Sequence, residues 1–140
     1  MSLSLAHVCI KTKDLKKTED FYCNGLGMEK VFDFTHKGSL YGFYLRMSEN
    51  NFIEVFEDKE LVSGRAMGIQ HLCLETDNID DMIVGMNKHG IETTEKKMGS
   101  DSTWQTWFKD PSGIDIELHM YTENSSQYTG RSVEAGWLDE

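Results

Sequence analysis

AHVCIKTKDLKKTEDFYCNGLGMEKV, residues 6–31, returns as QHLCLETDNIDDMIVGMNKHGIETTE, residues 70–95. His7 falls on His71, Cys9 on Cys73 and Leu15 on Ile79, each pair 64 positions apart, and Gly27 falls on Gly90 at 63. Downstream, Ile53-Glu54-Val55 matches Ile116-Glu117-Leu118, again at 63. Near-constant spacing over this distance is the mark of a duplicated structural unit.

Each copy reads the same way. Residues 5–12 and 69–76 alternate and are rich in apolar and β-branched types, which predicts strands. Asp14 and Asn78 are suited to cap helices over 15–24 and 79–88, with Gly25 or Gly27, and Gly90, as stops. Three strands follow in each half, at about 29–35, 40–47 and 51–57, then about 91–97, 103–109 and 113–121. Lys37-Gly38-Ser39, Glu49-Asn50-Asn51 and Asp110-Pro111-Ser112-Gly113 are turn clusters. The outline is an α+β chain of two βαβββ modules, 5–57 and 69–121. They are joined through 58–68 with Ser63-Gly64 at the centre, and a polar C-terminal arm, 122–140, follows as a loose extension.

The 140-residue chain as a whole sets limits. It carries 14 Lys and Arg against 24 Asp and Glu, a net charge of −10. That balance argues against nucleic acid and anionic membranes, which select basic faces. No apolar run approaches the roughly 20 residues of a membrane span, and MSLSLAHVCI is too short and too quickly polar for a signal peptide. Three cysteines, Cys9, Cys23 and Cys73, make no disulfide framework, so a reducing, cytoplasmic compartment is expected.

Strand alternation puts His7, Cys9 and Lys11 on one face, and His71, Cys73 and Glu75 on the matching face. Glu54 shares a face with Phe52 and Phe56, and Glu117 with Asp115 and His119. Taken singly, a strand histidine is usually packing and a strand glutamate usually faces solvent. Their recurrence as pairs is what singles out His7, Glu54, His71 and Glu117 as ligands of one divalent metal ion. Two imidazoles and two carboxylates suit a first-row divalent ion, and the cation removes the repulsion between the carboxylates. Cys9 and Cys73 are expected as small buried residues next to the site, His119 in a hydrogen-bonding or packing role, His36 and His89 at the surface, and Trp104 and Trp107 in the core.

The doubled pattern, with HVCIKTKDLKKTEDFYCNGLGM, HLCLETDNI and FKDPSGIDIEL, resembles the vicinal oxygen chelate superfamily over residues 5–121. The Asp-Pro-x-Gly turn before the last ligand strand is the most specific piece. The resemblance implies two βαβββ modules forming a curved mixed sheet. The His/Glu/His/Glu set resembles glyoxalase I, a lactoylglutathione lyase. This implies a metal-dependent lyase or isomerase, with Glu117 as the base and Glu54 its counterpart, acting on an α-carbonyl small molecule of hemithioacetal type. It also implies one divalent ion per site (nickel, zinc, cobalt or manganese not distinguished) and a homodimer sharing the site between chains, with a site closed within one chain as the alternative. A metal-dependent epimerase or isomerase of another α-carbonyl compound, and a non-catalytic small-ligand-binding protein, are the alternatives. Lys11 stands where that family has an arginine for the glutathione carboxylate, and Glu57-Asp58 where it has an asparagine, so weak use of glutathione is expected.

Overall fold

The computed structural model describes residues 5, 7–62, 71–134 and 138. The expected join at Ser63-Gly64, the start of the second module at 69–70 and most of the final six residues lie outside them. The chain divides into two units: Met1–Arg65 with Asp110–Ile114, and Ala66–Lys109 with Asp115–Glu140.

In the first unit, β1 (His7–Thr12), β2 (Glu29–His36), β3 (Ser39–Ser48) and β4 (Asn51–Glu57) form one sheet in the order β1-β4-β3-β2. β1 lies parallel to β4, and the other pairings are antiparallel. A parallel neighbour requires a crossover between the strands, here the helix α1 (Leu15–Glu19), a π-helical continuation Asp20–Gly25, and the β2–β3 hairpin. Asp14 caps α1 by accepting from Lys17 N–H at 3.0 Å, which satisfies a donor that the first turn leaves bare. The helix expected over 15–24 widens after Glu19, and Leu26 N–H reaches back five residues to Phe21 at 3.0 Å. Gly27, at φ +83°, ends it. Lys37 and Gly38 both have positive φ, the conformation of a two-residue hairpin turn that matches strand twist.

Alternation then separates two faces. Ile10, Phe43, Leu45, Ile53 and Val55 point to the core with Leu15, Phe21 and Tyr22. Each full burial of such a side chain contributes about 1.5–3 kcal/mol. His7, Tyr44, Phe52, Glu54 and Phe56 occupy the opposite face.

The second unit repeats the plan. β5 (Leu72–Glu75), β6 (Lys97–Met98), β7 (Trp104–Lys109) and β8 (Asp115–Met120) run in the order β5-β8-β7-β6, with β5 parallel to β8. α2 (Ile79–Lys88) starts at Asn78, which accepts from Asp81 N–H at 3.1 Å, and buries Ile79 and Met86. The strand expected at 91–97 shrinks to the two residues of β6. Thr94 accounts for this: its hydroxyl accepts from Trp107 N–H at 2.9 Å, in the place of a strand carbonyl. Thr106 Oγ1 in turn donates to the Thr94 carbonyl at 2.7 Å. Side chains thus take over the ladder and interrupt it.

The polar tail is less loose than its composition suggests. Ser125 is fully buried, accepts from Thr103 Oγ1 at 2.8 Å and donates to the Ser102 carbonyl at 3.1 Å. A short helix, α3 (Ser126–Thr129), follows. No helix among the described residues is long and apolar enough to cross a membrane.

Candidate functional site

In the first unit Glu54 sits mid-strand in β4 with Cys9 beside it on one side and Tyr44 on the other. His7 Nε2 lies 3.8 Å from Glu54 Oε1. The other ring nitrogen, Nδ1, is 3.1 Å from the Tyr44 hydroxyl. A ligand histidine is normally held this way, with one nitrogen anchored and the other presented. For Nε2 to offer its lone pair, Nδ1–H donates to Tyr44. Sequence reading passed over Tyr44, although it stands 63 positions before Trp107, on the same repeat as the ligands.

Around this pair lies an aromatic face. Phe32 stacks on Tyr44 at 4.9 Å, and Tyr44 on Phe52 at 5.0 Å. Phe34 and Phe56 meet at 4.9 Å, next to Tyr41. Gly42 makes that meeting possible: a Cβ there would stand 2.2 Å from the Val55 carbonyl oxygen and 2.6 Å from Phe56 Cδ1. Phe32 is 45% and Tyr41 42% exposed. Phe34, Tyr44, Phe52 and Phe56 are half-buried beside them, so this face is aromatic and partly open to solvent.

In the second unit Glu117 occupies the equivalent place, with Cys73 and Trp107 as its neighbours in register. Here the arrangement departs from the first half. The histidine at the carboxylate is His119, whose Nε2 is 2.6 Å from Glu117 Oε1. His71 is exposed and packs edge-on against Trp107, ring centroids 4.9 Å apart. Trp107 cannot anchor His71 as Tyr44 anchors His7. Its single N–H is donated to Gln105 Oε1 at 3.1 Å, and indole has no acceptor.

Charge follows geometry. Burial would raise the Glu117 carboxyl, but the His119 hydrogen bond and charge, with Cys73 and His71, hold it below the usual carboxylate range. His119 is raised above the ordinary histidine value by its hydrogen bond to Glu117, against the effect of burial. Burial and the Glu117 charge push the Cys73 thiol up to about 12. Burial and the Glu54 hydrogen bond raise Cys9 likewise.

Several expectations need correction. Cys9 and Cys73 are solvent-exposed residues rather than core ones, although the protein around each sulfur still desolvates it enough to raise its thiol. Trp104 and Trp107 are half-buried rather than core. Trp104 carries Lys96 Nζ 4.7 Å above its ring, and Trp107 forms a wall beside His71. His36 and His89 are at the surface as expected. Lys11 pairs with Asp58 at 3.7 Å, so its charge is already met by an acid.

The donors fit a divalent ion. Carboxylate, imidazole and thiol are the groups that first-row divalent metals take. Among the described residues His119 Nδ1 is buried with no hydrogen-bond partner, as are Ser112 Oγ and Ser126 Oγ. The chain's Asp-Pro-Ser-Gly turn sets the start of β8: Asp110 Oδ1 accepts from Ser112 N–H at 2.8 Å and Ile114 N–H at 2.9 Å, and Gly113 takes φ +85°.

Comparison with known proteins agrees with this architecture. Residues 4–118 match the family described as the Glyoxalase/Bleomycin resistance protein/Dioxygenase superfamily. A glyoxalase family protein from Enterococcus faecalis is 25% identical, with a TM-score of 0.73 over 83% of this chain and 96% of its own. TnmS3, an antibiotic binding protein from Streptomyces sp. CB03234, is 18% identical, with a TM-score of 0.70 over 87% and 99%. A lactoylglutathione lyase from Agrobacterium tumefaciens is 16% identical, with a TM-score of 0.64 over 84% and 92%. At those last two identities the likeness is one of fold.

Proposed function

We propose that this chain, which belongs to the Glyoxalase/Bleomycin resistance protein/Dioxygenase superfamily, is a divalent-metal-dependent lyase or isomerase of the glyoxalase I kind. Its substrate is a small α-carbonyl compound of hemithioacetal type. One observation carries the reading: each sheet sets a glutamate on its open face with a histidine beside it, His7 at Glu54 and His119 at Glu117. The repeat assigns His7, Glu54, His71 and Glu117 to one ion, and the proposal includes a homodimer that completes the set. The free thiols suit a reducing, cytoplasmic setting.

A divalent ion held there supplies Lewis-acid stabilisation of negative charge developing on a substrate oxygen. The chain's residues do the rest. Glu117, held ionised by His119, accepts a proton from the carbon next to the substrate carbonyl and returns it to the neighbouring carbon. Glu54 is its counterpart on the other sheet. Phe32, Tyr44 and Phe52 offer an apolar wall that sheds water from the reacting group. Because Lys11 is engaged by Asp58 and lacks the two-pronged grip of arginine, glutathione is a poor thiol for this site.

The test is to supply methylglyoxal with a series of thiols in deuterated water and follow the transferred proton by NMR. Glu117→Gln should keep much of the metal and lose about 10²–10⁴-fold in turnover, the range for removing a general base. Efficient lactoylglutathione formation would show the Lys11–Asp58 argument to be wrong. A second reading, a non-catalytic binder of aromatic small molecules, is favoured by the exposed aromatic face and by the fold shared with an antibiotic binding protein. Metal bound without exchange on any carbonyl substrate would select it.

A further inference from the structure

The second sheet carries donors that the repeat of His and Glu does not use. Cys73 Sγ, a Glu117 carboxylate oxygen and a His119 ring nitrogen all lie within 4.8 Å of one another, the single such group found among the described residues. The backbone brings them together. Cys73 is the register partner of Glu117 across the parallel β5–β8 ladder, and His119 follows two residues on, on the same face. Independently, His119 Nδ1 is buried without a partner among the described residues, while Nε2 holds the ring at Glu117.

The first sheet shows what has changed. Its corresponding residues are Cys9, Glu54 and Phe56. The two halves therefore share the thiol and the carboxylate, and one difference, phenyl against imidazole, adds a nitrogen donor next to Glu117. His71 meanwhile lies exposed against Trp107. Sulfur with imidazole nitrogen selects borderline-soft ions such as zinc and cobalt over magnesium, calcium or manganese.

We infer that Cys73, Glu117 and His119 hold a thiophilic divalent ion through a Cys73 thiolate, with His119 taking the place that the repeat assigns to His71. The inference rests on the reading of this chain as a metal protein but gives it a different second half-set. Loading forms a metal–sulfur bond and releases the Cys73 thiol proton to solvent. His119 ligates as the neutral ring through one nitrogen, the other keeping the ring proton.

Cobalt(II) titrated into the metal-free full-length protein reads this directly, since thiolate ligation gives a charge-transfer band in the near ultraviolet. The wild type should develop the band and saturate at about one equivalent. Cys73→Ser should abolish it, whereas Cys9→Ser and His71→Ala should keep it. His119→Phe, which copies the first half, should weaken cobalt binding by roughly 10–100-fold. Circular dichroism melts of each variant separate loss of a ligand from loss of fold. Cobalt bound with no sulfur band, or binding lost in His71→Ala and kept in His119→Phe, would overturn the inference and leave the metal reading standing. No cobalt bound by the wild type would overturn both.

Discussion

Replacing Tyr22 by Phe removes one hydroxyl and tests how the Asp-Pro-Ser-Gly turn is secured. Tyr22 is fully buried and donates to Asp110 Oδ2 at 3.0 Å. Asp110 is only 5% exposed, and its other oxygen is committed to the two turn amides. Phenylalanine fills almost the same volume, so the change leaves Oδ2 bare without opening a cavity. Losing a hydrogen bond to a charged group costs about 1.5–3 kcal/mol. With about 2.1 cal/mol/K of unfolding entropy per residue, that is a fall in Tm of roughly 5–10 °C for a chain of this size. The pH dependence identifies the cause. Burial raises the Asp110 carboxyl above its usual value, against the pull of the turn amides and Tyr22. A raised folded-state pKa means that protonation favours the native state, a contribution present below the unfolded value and lost as pH rises through the folded one. The variant raises that pKa further. Its deficit should therefore be largest near pH 7 and shrink as the pH falls through the folded pKa of Asp110. Paired thermal melts of wild type and variant from pH 7 to 4 measure it. A deficit that is independent of pH, or absent at pH 7, would refute the reasoning.

Other perturbations have equally definite outcomes. Gly42→Ala places a methyl 2.2 Å from a backbone oxygen that cannot swing aside, so overpacking of about 1–3 kcal/mol should appear in chemical denaturation. Tyr44→Phe should lower metal affinity by roughly 10–100-fold by releasing His7 Nδ1, which a competition titration against a chelator reads. Asp101 is held below the ordinary aspartate value, the cost of burial being outweighed by donors from Gln127 and Thr103. Its stabilisation is present above the unfolded pKa and lost as pH falls through the folded one. Asp101→Asn should then be destabilising at pH 7, and its melting curve should converge with the wild type in acid.

The backbone plan was written openly in the sequence, because strand alternation, the Asp14 and Asn78 caps and the Gly27 and Gly90 stops are local signals that tertiary packing reinforced. Two elements were misjudged where side chains stood in for backbone. Thr94 interrupts β6 by accepting a ladder bond, and buried Ser125 ties down a tail whose polarity suggested looseness. Duplication singled out His7, Glu54, His71 and Glu117 regardless of distance, and of these the structure sets His7 beside Glu54, whereas His119 and not His71 stands at Glu117. Less legible was how the copies have diverged. The exchange of Phe56 for His119 and of Tyr44 for Trp107 lies on the same 63-residue spacing; alternation alone puts His119 on the Glu117 face, but only the register of β8 against β7 shows Trp107 beside Glu117. Cys9 and Cys73 were read as buried because each follows a ligand histidine by two residues and a small thiol next to such a site commonly packs inward. Both are solvent-exposed instead.

The metal content of the purified chain, measured by elemental analysis alongside Glu54→Ala and Glu117→Ala after dialysis against limiting divalent metal, tests the central claim most directly. The account predicts about one ion per chain in the wild type and little in either variant. Wild-type protein that binds no metal, or variants that both retain the wild-type amount, would contradict it.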